Sequence, residues 1–261
     1  MKSKLHFISG LPRSGSTMLA AILKQNAAFV AGMTSPLSTL FAAIENATSQ
    51  RVETSVFVTD EQRELLLRGL FSTYYHKDWD KKTVFDTSRM WCARMTILNK
   101  LFPDARFICC VRELAWIMDS FERIFRRNDQ KPSGIYGYNT GTVYSRTMTL
   151  ASSSGVVGYA LDAVKEALAS EQTNKILLID YEDICKDPTS AMKRVYAFIE
   201  EDYFSHDFDK VEYSAGEFDR NLGAPGLHEV KGSIQWRPRK SILPGDLFNR
   251  FQNDNFWRIV A

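Results

Sequence analysis

The sequence predicts an α/β fold: a single domain with a central parallel sheet flanked by helices. Short apolar segments alternate along the chain with longer segments of helical spacing. Several apolar segments, such as residues 106–111, show no alternation with polar residues, which is typical of strands buried on both faces of a parallel sheet. The first of them ends in a P-loop-like, glycine-containing segment that leads directly into a helix. Such sheets bind ligands beyond the carboxyl ends of their strands, so a site is expected there.

In chain order, a strand, the glycine-containing loop and a helix come first, followed by a helical region and then by strands that each precede a helix. We interpret the region at about 36–76 as a helical insertion, whose second helix is expected to bury Leu65, Leu66, Leu70 and Phe71. Predicted strands lie at residues 4–9, 83–85, 106–111 and 175–179, with an extended segment at 27–34. Predicted helices lie at residues 15–25, 36–46, 60–75, 89–101, 113–127, 144–170 and 187–201.

One polar segment interrupts this alternation. Residues 128–142 contain three glycines and a proline, and they are short enough for a loop over a site rather than for a linker between domains. We therefore expect one domain over residues 1–261, with residues 128–142 as a candidate lid. The serine and glycine run at 152–155 is expected to kink or split the helix that contains it.

Composition argues against several classes of protein. A net charge of +2 provides no global field for nucleic acid, and we expect no such partner. No segment approaches the ~20 apolar residues of a membrane span, and we expect no signal peptide, because only a few residues precede the first predicted strand. The four cysteines lack metal-ligand spacing, so we expect buried thiols, no metal and a cytoplasmic location. The oligomeric state stays open.

The loop after the first strand has the features of an anion site. Gly10 and Gly15 stand at the G-x-x-x-x-G spacing of a P-loop, and Ser16 and Thr17 follow. A helix that begins after such a loop directs backbone N–H groups and the positive end of its dipole at one point. Ser16 replaces the lysine of an ATP-hydrolysing P-loop, and the nearest cation is Arg13. This predicts a phosphate-like ligand without the usual ATPase lysine.

A second candidate phosphate site follows the predicted strand at 106–111. Arg112 ends this strand, and Ser120 lies eight residues later in the next predicted helix. An arginine and a hydroxyl can share one phosphate, to which the guanidinium donates two hydrogen bonds. For Arg112 alone, an ion pair with a carboxylate such as Glu113 would be the favoured explanation. The first loop shifts the balance towards a phosphate.

Together the two segments resemble the cofactor motifs of an enzyme family. The sequences PRSGST and VRELAWIMDS are similar to the motifs with which sulfotransferases bind 3′-phosphoadenosine-5′-phosphosulfate (PAPS). A third segment, YEDICKDP from Tyr181, is similar to that family's tyrosine-containing segment before a helix that begins with proline. The arginine in the loop looks more like the tyrosylprotein, carbohydrate and bacterial branches than the cytosolic enzymes that act on small phenols. The resemblance covers residues 5–25, 83–125 and 175–200.

The resemblance implies transfer of a sulfuryl group from PAPS to a hydroxyl or amine acceptor, with release of adenosine 3′,5′-bisphosphate and without a metal. It implies that the first loop binds the 5′-phosphosulfate, that Arg112 and Ser120 bind the 3′-phosphate, and that Arg13 is also catalytic. A looser match adds the turn at 231–232. The implied donor-binding residues are Arg13, Ser14, Gly15, Ser16, Thr17, Arg112, Ser120, Tyr181, Lys231 and Gly232.

The acceptor half of the site departs from the family. The glutamate base and the sulfate-contacting lysine of the tyrosylprotein enzymes align with Thr34 and Asp86, and the catalytic histidine of the cytosolic enzymes falls near Ser88 or Arg89. A hydroxyl acceptor needs a base within reach, and Asp86 is our first candidate. A role as N-cap of the following helix explains Asp86 at least as well. His228 could contact the nucleotide or the acceptor, and its loop position leaves its role open.

Two other functions are compatible with these residues. A small-molecule kinase would use ATP and Mg²⁺, although Ser16 stands where its lysine should be. A nucleotide-binding sensor without catalysis would explain why the family base is missing. The basic and aromatic segment at 231–240 is expected to clamp the nucleotide rather than to bind RNA.

Overall fold

The computed structural model describes residues 4–131, 133–138 and 140–258. Within these residues, five parallel strands form one sheet of order β2-β3-β1-β4-β5. The strands are β1 (Leu5–Gly10), β2 (Phe29–Ala31), β3 (Thr83–Thr87), β4 (Phe107–Val111) and β5 (Ile176–Asp180). The helices are α1 (Ser16–Leu23), α2 (Leu37–Ala47), α3 (Asp60–Tyr74), α4 (Met95–Leu101), α5 (Leu114–Arg127), α6 (Val143–Ala151), α7 (Gly158–Ala169), α8 (Tyr181–Lys186), α9 (Pro188–Phe198), α10 (Gly216–Asn221) and α11 (Gly245–Gln252).

Both faces of the sheet are covered, and successive strand residues pack on opposite faces. Phe7 and Phe107 lie in an apolar cluster with residues of α3, α4, α5 and α7. Their neighbours Ile8 and Ile108 lie in a second cluster, with residues of α1 and α9. Burial on both faces explains the continuous apolar sequence of the central strands. The predicted fold class is confirmed.

The strand order places several loops at one edge of the sheet. The chain leaves β1 towards β2 and β3 on one side, and then crosses to β4 and β5 on the other. Because all strands are parallel, the loop after β1, Arg112 after β4 and Tyr181 after β5 meet at the carboxyl edge. This is the position at which open α/β sheets form their ligand crevices.

The helices between β2 and β3 differ in one respect from the prediction. Leu65 and Leu66 of α3 were expected to be buried, but they are 61% and 49% exposed. The helix instead meets the core through Leu67 and Phe71, four residues apart on one face. Leu65 and Leu66 line an apolar groove of about 770 Å³ between α2 and α3. The expected burial of these two leucines is therefore wrong.

The predicted helix at 144–170 is split into α6 and α7, as its serine and glycine run indicated. A Cβ atom at Gly155 would lie 2.1 Å from the carbonyl oxygen of Thr149, so the chain can return against α6 only with glycine here. In the candidate lid, Tyr136 is buried and its hydroxyl donates to the carbonyl of Phe121 at 2.8 Å. Positions 132 and 139 of that segment lie outside the described residues. None of the described helices combines the length and the hydropathy of a membrane span.

Candidate active site

The loop between β1 and α1 depends on glycine at two positions. Gly10 has φ +109°, and a Cβ atom there would lie 2.1 Å from the carbonyl oxygen of Cys110 in β4. Gly15, with φ +96°, is the N-cap of α1 and has no side chain to cap the helix. Arg13 between them has φ +58°, a left-handed conformation that non-glycine residues seldom adopt. The loop therefore directs the first N–H groups of α1 outward, free of a capping side chain.

Arg13 joins the two segments that the sequence predicts to bind phosphate. Its Nε donates to Ser120 Oγ at 3.1 Å, and its guanidinium also donates to the carbonyl of Leu227. Arg112 Nη1 donates to the backbone carbonyl of Arg13 at 3.2 Å. Burial, and next the neighbouring Arg112, lower the pKa of Arg13 to about 10, so Arg13 is still a cation at neutral pH. The structure thus brings together residues that lie about a hundred positions apart.

Arg112 is stacked rather than paired. Its guanidinium lies 4.0 Å from the ring centroid of Tyr181, the first residue of α8. No ion pair between Arg112 and Glu113 forms in the part of the chain that the structure describes, so the alternative explanation for Arg112 is not observed. The Tyr181 ring also lies 3.0 Å from the position of a Cβ atom on Gly15, which places it beside the loop. Apart from the hydrogen bond of Nη1 to Arg13, the N–H groups of Arg112 are thereby left for a ligand.

The hydroxyl groups of the loop are used in two ways. Ser14 is completely buried, and its Oγ lies within hydrogen-bonding distance of the carbonyls of Leu11 and Cys110. Its side chain therefore holds the loop to β4, and only its backbone could reach a ligand. Ser16 and Thr17, in the first turn of α1, line the adjoining cavity.

This cavity has a volume of about 1100 Å³ and lies beyond the carboxyl ends of β1, β3 and β4. Clefts of roughly 300–1,000 Å³ suffice for a drug-sized ligand, so there is room for a nucleotide and for part of a second molecule. One wall consists of the first loop with Arg112 and Tyr181. The remaining wall consists of α2, the residues after β3 and the segment 227–231, where the carbonyl of Leu227 accepts from Arg13.

Asp86, the first candidate for a base, lies inside β3 and does not line the cavity. It is fully buried, and it accepts hydrogen bonds from Tyr75 Oη and Trp91 Nε1, both at 2.7 Å. Burial raises its pKa. The alternative role as a helix N-cap is wrong, because both carboxylate oxygens accept from aromatic side chains. Two aromatic side chains thus hold Asp86, which does not itself line the cavity.

His228 and Asp219 form a pair that the sequence did not reveal. The Nδ1 atom of His228 lies 2.6 Å from Asp219 Oδ1, and the backbone N–H of His228 donates to Asp219 Oδ2 at 2.9 Å. Asp219 is 1% exposed, whereas His228 lines the cavity. Burial lowers the pKa of His228, although Asp219 opposes this shift. The only signal in the sequence was an aspartate nine residues before a histidine in an irregular stretch, which has no defined meaning.

Three further cationic residues approach the site. Arg89, directly after β3, lines the cavity and forms no ion pair with any residue that the structure describes. Lys231 also lines the cavity, but its side chain is 74% exposed and pairs with Glu229. Gly232 accepts a hydrogen bond from the backbone N–H of Val211 at 3.2 Å. Arg239 pairs with Asp119 at 2.8 Å; burial and, to a smaller extent, the neighbouring Arg112 lower the pKa of Arg239.

Asp119 attaches the end of the basic segment to α5. Its Oδ2 accepts from Arg123 Nε at 2.8 Å and pairs with Arg239, while its Oδ1 accepts from Ser241 Oγ at 3.1 Å and from the backbone N–H of Ile242 at 2.8 Å. The carboxylate is completely buried. Since Ser120 is the next residue of α5, the segment is anchored beside the candidate phosphate site.

Comparison with known proteins agrees with this geometry. A match to the sulfotransferase family covers residues 6–205. Three solved structures share the fold at 16% identity: the sulfotransferase domain from the curacin biosynthetic pathway (TM-score 0.54, 97% of this chain and 91% of that one), the sulfotransferase domain of the Synechococcus PCC 7002 olefin synthase (0.51, 97% and 97%), and mouse sulfotransferase SULT7A1 complexed with PAP (0.52, 100% and 81%). No curated protein matches the chain significantly. On the strength of the family match, which spans most of its length, the chain belongs to the sulfotransferase family.

Proposed function

We propose that the protein transfers a sulfuryl group from PAPS to a hydroxyl or amine acceptor and releases adenosine 3′,5′-bisphosphate. The observation that carries this proposal is the contact between Arg13 and Ser120, which joins the loop after β1 to the site at Arg112. Two adjoining anion sites suit a nucleotide that carries charged groups at both its 5′ and 3′ positions. The family match and a relative with bound PAP support the same donor.

Different residues of the chain would bind different parts of the donor nucleotide. The N–H groups from Ser14 to Thr17, the hydroxyls of Ser16 and Thr17, and Arg13 would hold the 5′-phosphosulfate. Arg112 and Ser120 would hold the 3′-phosphate, since a guanidinium can donate two hydrogen bonds to it. Tyr181, Lys231 and Gly232 would contact the rest of the nucleotide.

Arg13 must change partners for this function. Its guanidinium now donates to two neutral oxygens, those of Ser120 and Leu227. Hydrogen bonds between two charged groups are roughly twice as strong as those between neutral groups, so an anion in the loop would attract Arg13 away from them. This change would also free Ser120 Oγ for the 3′-phosphate.

Catalysis then rests on position and charge. Sulfuryl transfer resembles phosphoryl transfer in placing charge on the equatorial oxygens and on the leaving oxygen. Arg13, Thr17 and the loop amides would stabilise the charge that develops on the bridging oxygen. Holding both reactants in line in one cavity supplies a further part of the rate enhancement.

The remaining predicted regions are proposed for the acceptor side. Ser38, Thr39 and Ala42 of α2 line the cavity, so the helical region at about 36–76 would form a wall of the acceptor site. The segment at 128–142 would act as a lid. Protection of that segment from proteases by bound adenosine 3′,5′-bisphosphate supports the lid, and unchanged cleavage argues against it.

A comparison of ligands tests the function. We expect adenosine 3′,5′-bisphosphate, at 100 times its dissociation constant, to stabilise the protein by about 2.7 kcal/mol, measured as a thermal shift. Consumption of PAPS with a panel of phenols, sugars, hydroxy acids and amines then detects transfer. Stabilisation by ATP–Mg²⁺ but not by the bisphosphate would instead indicate the kinase. Tight binding without turnover on any acceptor, or on water, would indicate the sensor.

A further inference from the structure

One ring nitrogen of His228 is hydrogen-bonded within the protein, and the other is free to bind a ligand. Its Nδ1 lies 2.6 Å from a carboxylate oxygen of Asp219, which can only accept, so Nδ1 must carry the hydrogen. In the neutral ring, Nε2 then bears the lone pair. Within the described ranges Nε2 has no hydrogen-bond partner, and it does not belong to the buried atoms that lack one. Because the ring lines the cavity, this lone pair is available to a molecule bound there.

The surroundings keep this ring neutral and fixed. Asp219 binds it twice, through Nδ1 and through the backbone N–H of His228. Arg13 and Arg89 face it from the first loop and from the end of β3, and both, like burial, lower its pKa against the effect of Asp219. The ring of Phe218 packs edge-on against it at 5.5 Å between centroids. At neutral pH the imidazole is therefore a free base.

The position of His228 suits proton transfer at the reaction centre. Arg13 donates to the carbonyl of Leu227, the residue before His228. The histidine is thus adjacent to the arginine assigned to the phosphosulfate, and it lines the same cavity as Ser38 and Thr39 of α2. A base for the acceptor must lie beside the sulfuryl group, which Asp86 inside β3 does not.

We infer that His228 is the general base that removes the proton from the acceptor, and that Asp219 is the positioning residue that fixes its tautomer and orientation. The inference rests on the proposed sulfuryl transfer and adds the residue that activates the acceptor. It also defines the acceptor chemically as a nucleophile that carries a proton to be removed, a hydroxyl or a neutral amine.

The step balances without a further reactant. The acceptor oxygen forms its bond to sulfur while the bond between sulfur and the bridging oxygen breaks. The electron pair of the broken bond leaves with adenosine 3′,5′-bisphosphate, whose charge Arg13 stabilises. The proton of the acceptor passes to Nε2 of His228 and later to water, while Asp219 stabilises the imidazolium through Nδ1.

Substitution of His228 tests its role, with His76 as the matched control. His76 is exposed, so His76→Gln makes the same chemical change far from the cavity. We expect His228→Gln to lower kcat for PAPS consumption by about 10²–10⁴-fold, the usual contribution of a general base. Water serves as the acceptor where no member of the panel reacts. Binding of adenosine 3′,5′-bisphosphate should be unchanged, and added imidazole should restore activity to His228→Ala. A kcat for His228→Gln equal to that of His76→Gln overturns the inference.

The role of Asp219 is tested by a measurement that would not change if Asp219 only supported the fold. In ¹⁵N-histidine NMR spectra, His228 (assigned by its loss in His228→Gln) should show the Nδ1–H tautomer and a pKa below 6.5. Asp219→Asn should reduce that tautomer and move the acidic limb of the pH–rate profile to lower pH, since the carboxylate raises this pKa. An Nε2–H tautomer in the wild-type protein overturns the arrangement.

These outcomes separate the two proposals. If the wild-type protein turns over PAPS and His228→Gln does so equally well, the base is wrong and the function stands. If the wild-type protein neither binds the bisphosphate nor consumes PAPS, the proposed function fails, and the base role fails with it. The NMR result still decides whether the histidine–aspartate pair exists.

Discussion

The two walls of the cavity are built in different ways. On the wall proposed to bind the donor (the donor wall), the loop after β1, Arg112 after β4 and Tyr181 after β5 each follow a strand directly. On the wall proposed to face the acceptor (the acceptor wall), Arg89 follows β3, but Ser38 belongs to a helix, and His228 lies in an irregular region. The carboxyl ends of parallel strands lie at the same edge of a sheet, so residues that follow them come together in any such fold. The second wall instead depends on how segments far apart in the sequence pack. The residues of the donor wall can therefore be predicted from a single sequence, whereas those of the acceptor wall cannot.

On the donor wall, the largest effect is expected from Arg13→Ala. Loss of one donor that stabilises developing charge typically lowers the rate by about 10²–10³-fold. The fold should persist, because the side chain of Arg13 forms hydrogen bonds to two neutral oxygens and leaves no buried carboxylate unpaired when it is removed. Turnover of PAPS and thermal unfolding together measure this. The exposed Arg51 provides the control, as Arg51→Ala removes the same charge elsewhere. Normal turnover in folded Arg13→Ala protein would remove Arg13 from the mechanism.

The substitution Gly10→Ala should disturb the donor wall through the backbone of its loop. The new Cβ would lie 2.1 Å from a carbonyl oxygen of β4, at a φ of +109° that alanine rarely adopts. We expect a loss of stability of roughly 1–3 kcal/mol, the range for overpacked sites, and weaker binding of adenosine 3′,5′-bisphosphate.

Gly69→Ala in α3 is the matched control for that variant. A Cβ atom at Gly69 meets nothing within 4 Å, so the same change there should stabilise the helix by up to about 1 kcal/mol. Chemical denaturation of both variants measures the contrast. Equal stability of the two variants would show that the contact between the loop and β4 tolerates a side chain.

Arg112→Lys sharpens the assignment of the second phosphate. Lysine keeps the charge but loses the planar pair of donors and the stacking on Tyr181 at 4.0 Å. The preference for adenosine 3′,5′-bisphosphate over adenosine 5′-phosphate should fall by about tenfold, since a hydrogen bond to a charged group contributes about 1.5–3 kcal/mol. Calorimetric titration with both nucleotides measures this preference. An equal loss of affinity for both would place Arg112 away from the 3′-phosphate.

The smallest effect on turnover is expected for Asp86→Asn. Asp86 accepts from Tyr75 and Trp91 away from the cavity, so the variant should keep its rate once it is folded. Because burial raises the pKa of Asp86, the folded protein holds this proton more tightly than the unfolded chain does. The free energy of unfolding should therefore fall as the pH rises from 3.8 towards that raised pKa, and Asp86→Asn should lack this decline. A large loss of kcat in a stable Asp86→Asn variant would show that Asp86, and not His228, acts as the base.

The same contrast explains what could be predicted from the sequence. The strand order could not be derived, yet the parallel sheet and the meeting of Arg13, Arg112 and Ser120 followed from apolar segments that end in polar residues. The burial of Leu65 and Leu66 was wrong, because helical spacing shows that a helix has an apolar face but not what covers that face. The pairing of His228 with Asp219 could be found only in the three-dimensional structure, since no local sequence pattern links an aspartate on a short helix to a histidine in a later turn.

Asp119 has a consequence for local unfolding. One buried carboxylate holds Arg123 of its own helix, and also Arg239, Ser241 and Ile242 of the segment that follows the basic turn. Contacts that share one acceptor break together, so this segment should open as a unit with the second turn of α5 rather than fray by itself. Amide hydrogen exchange at Ile242 should accordingly keep pace with exchange in that turn, and both should slow when a ligand occupies Ser120.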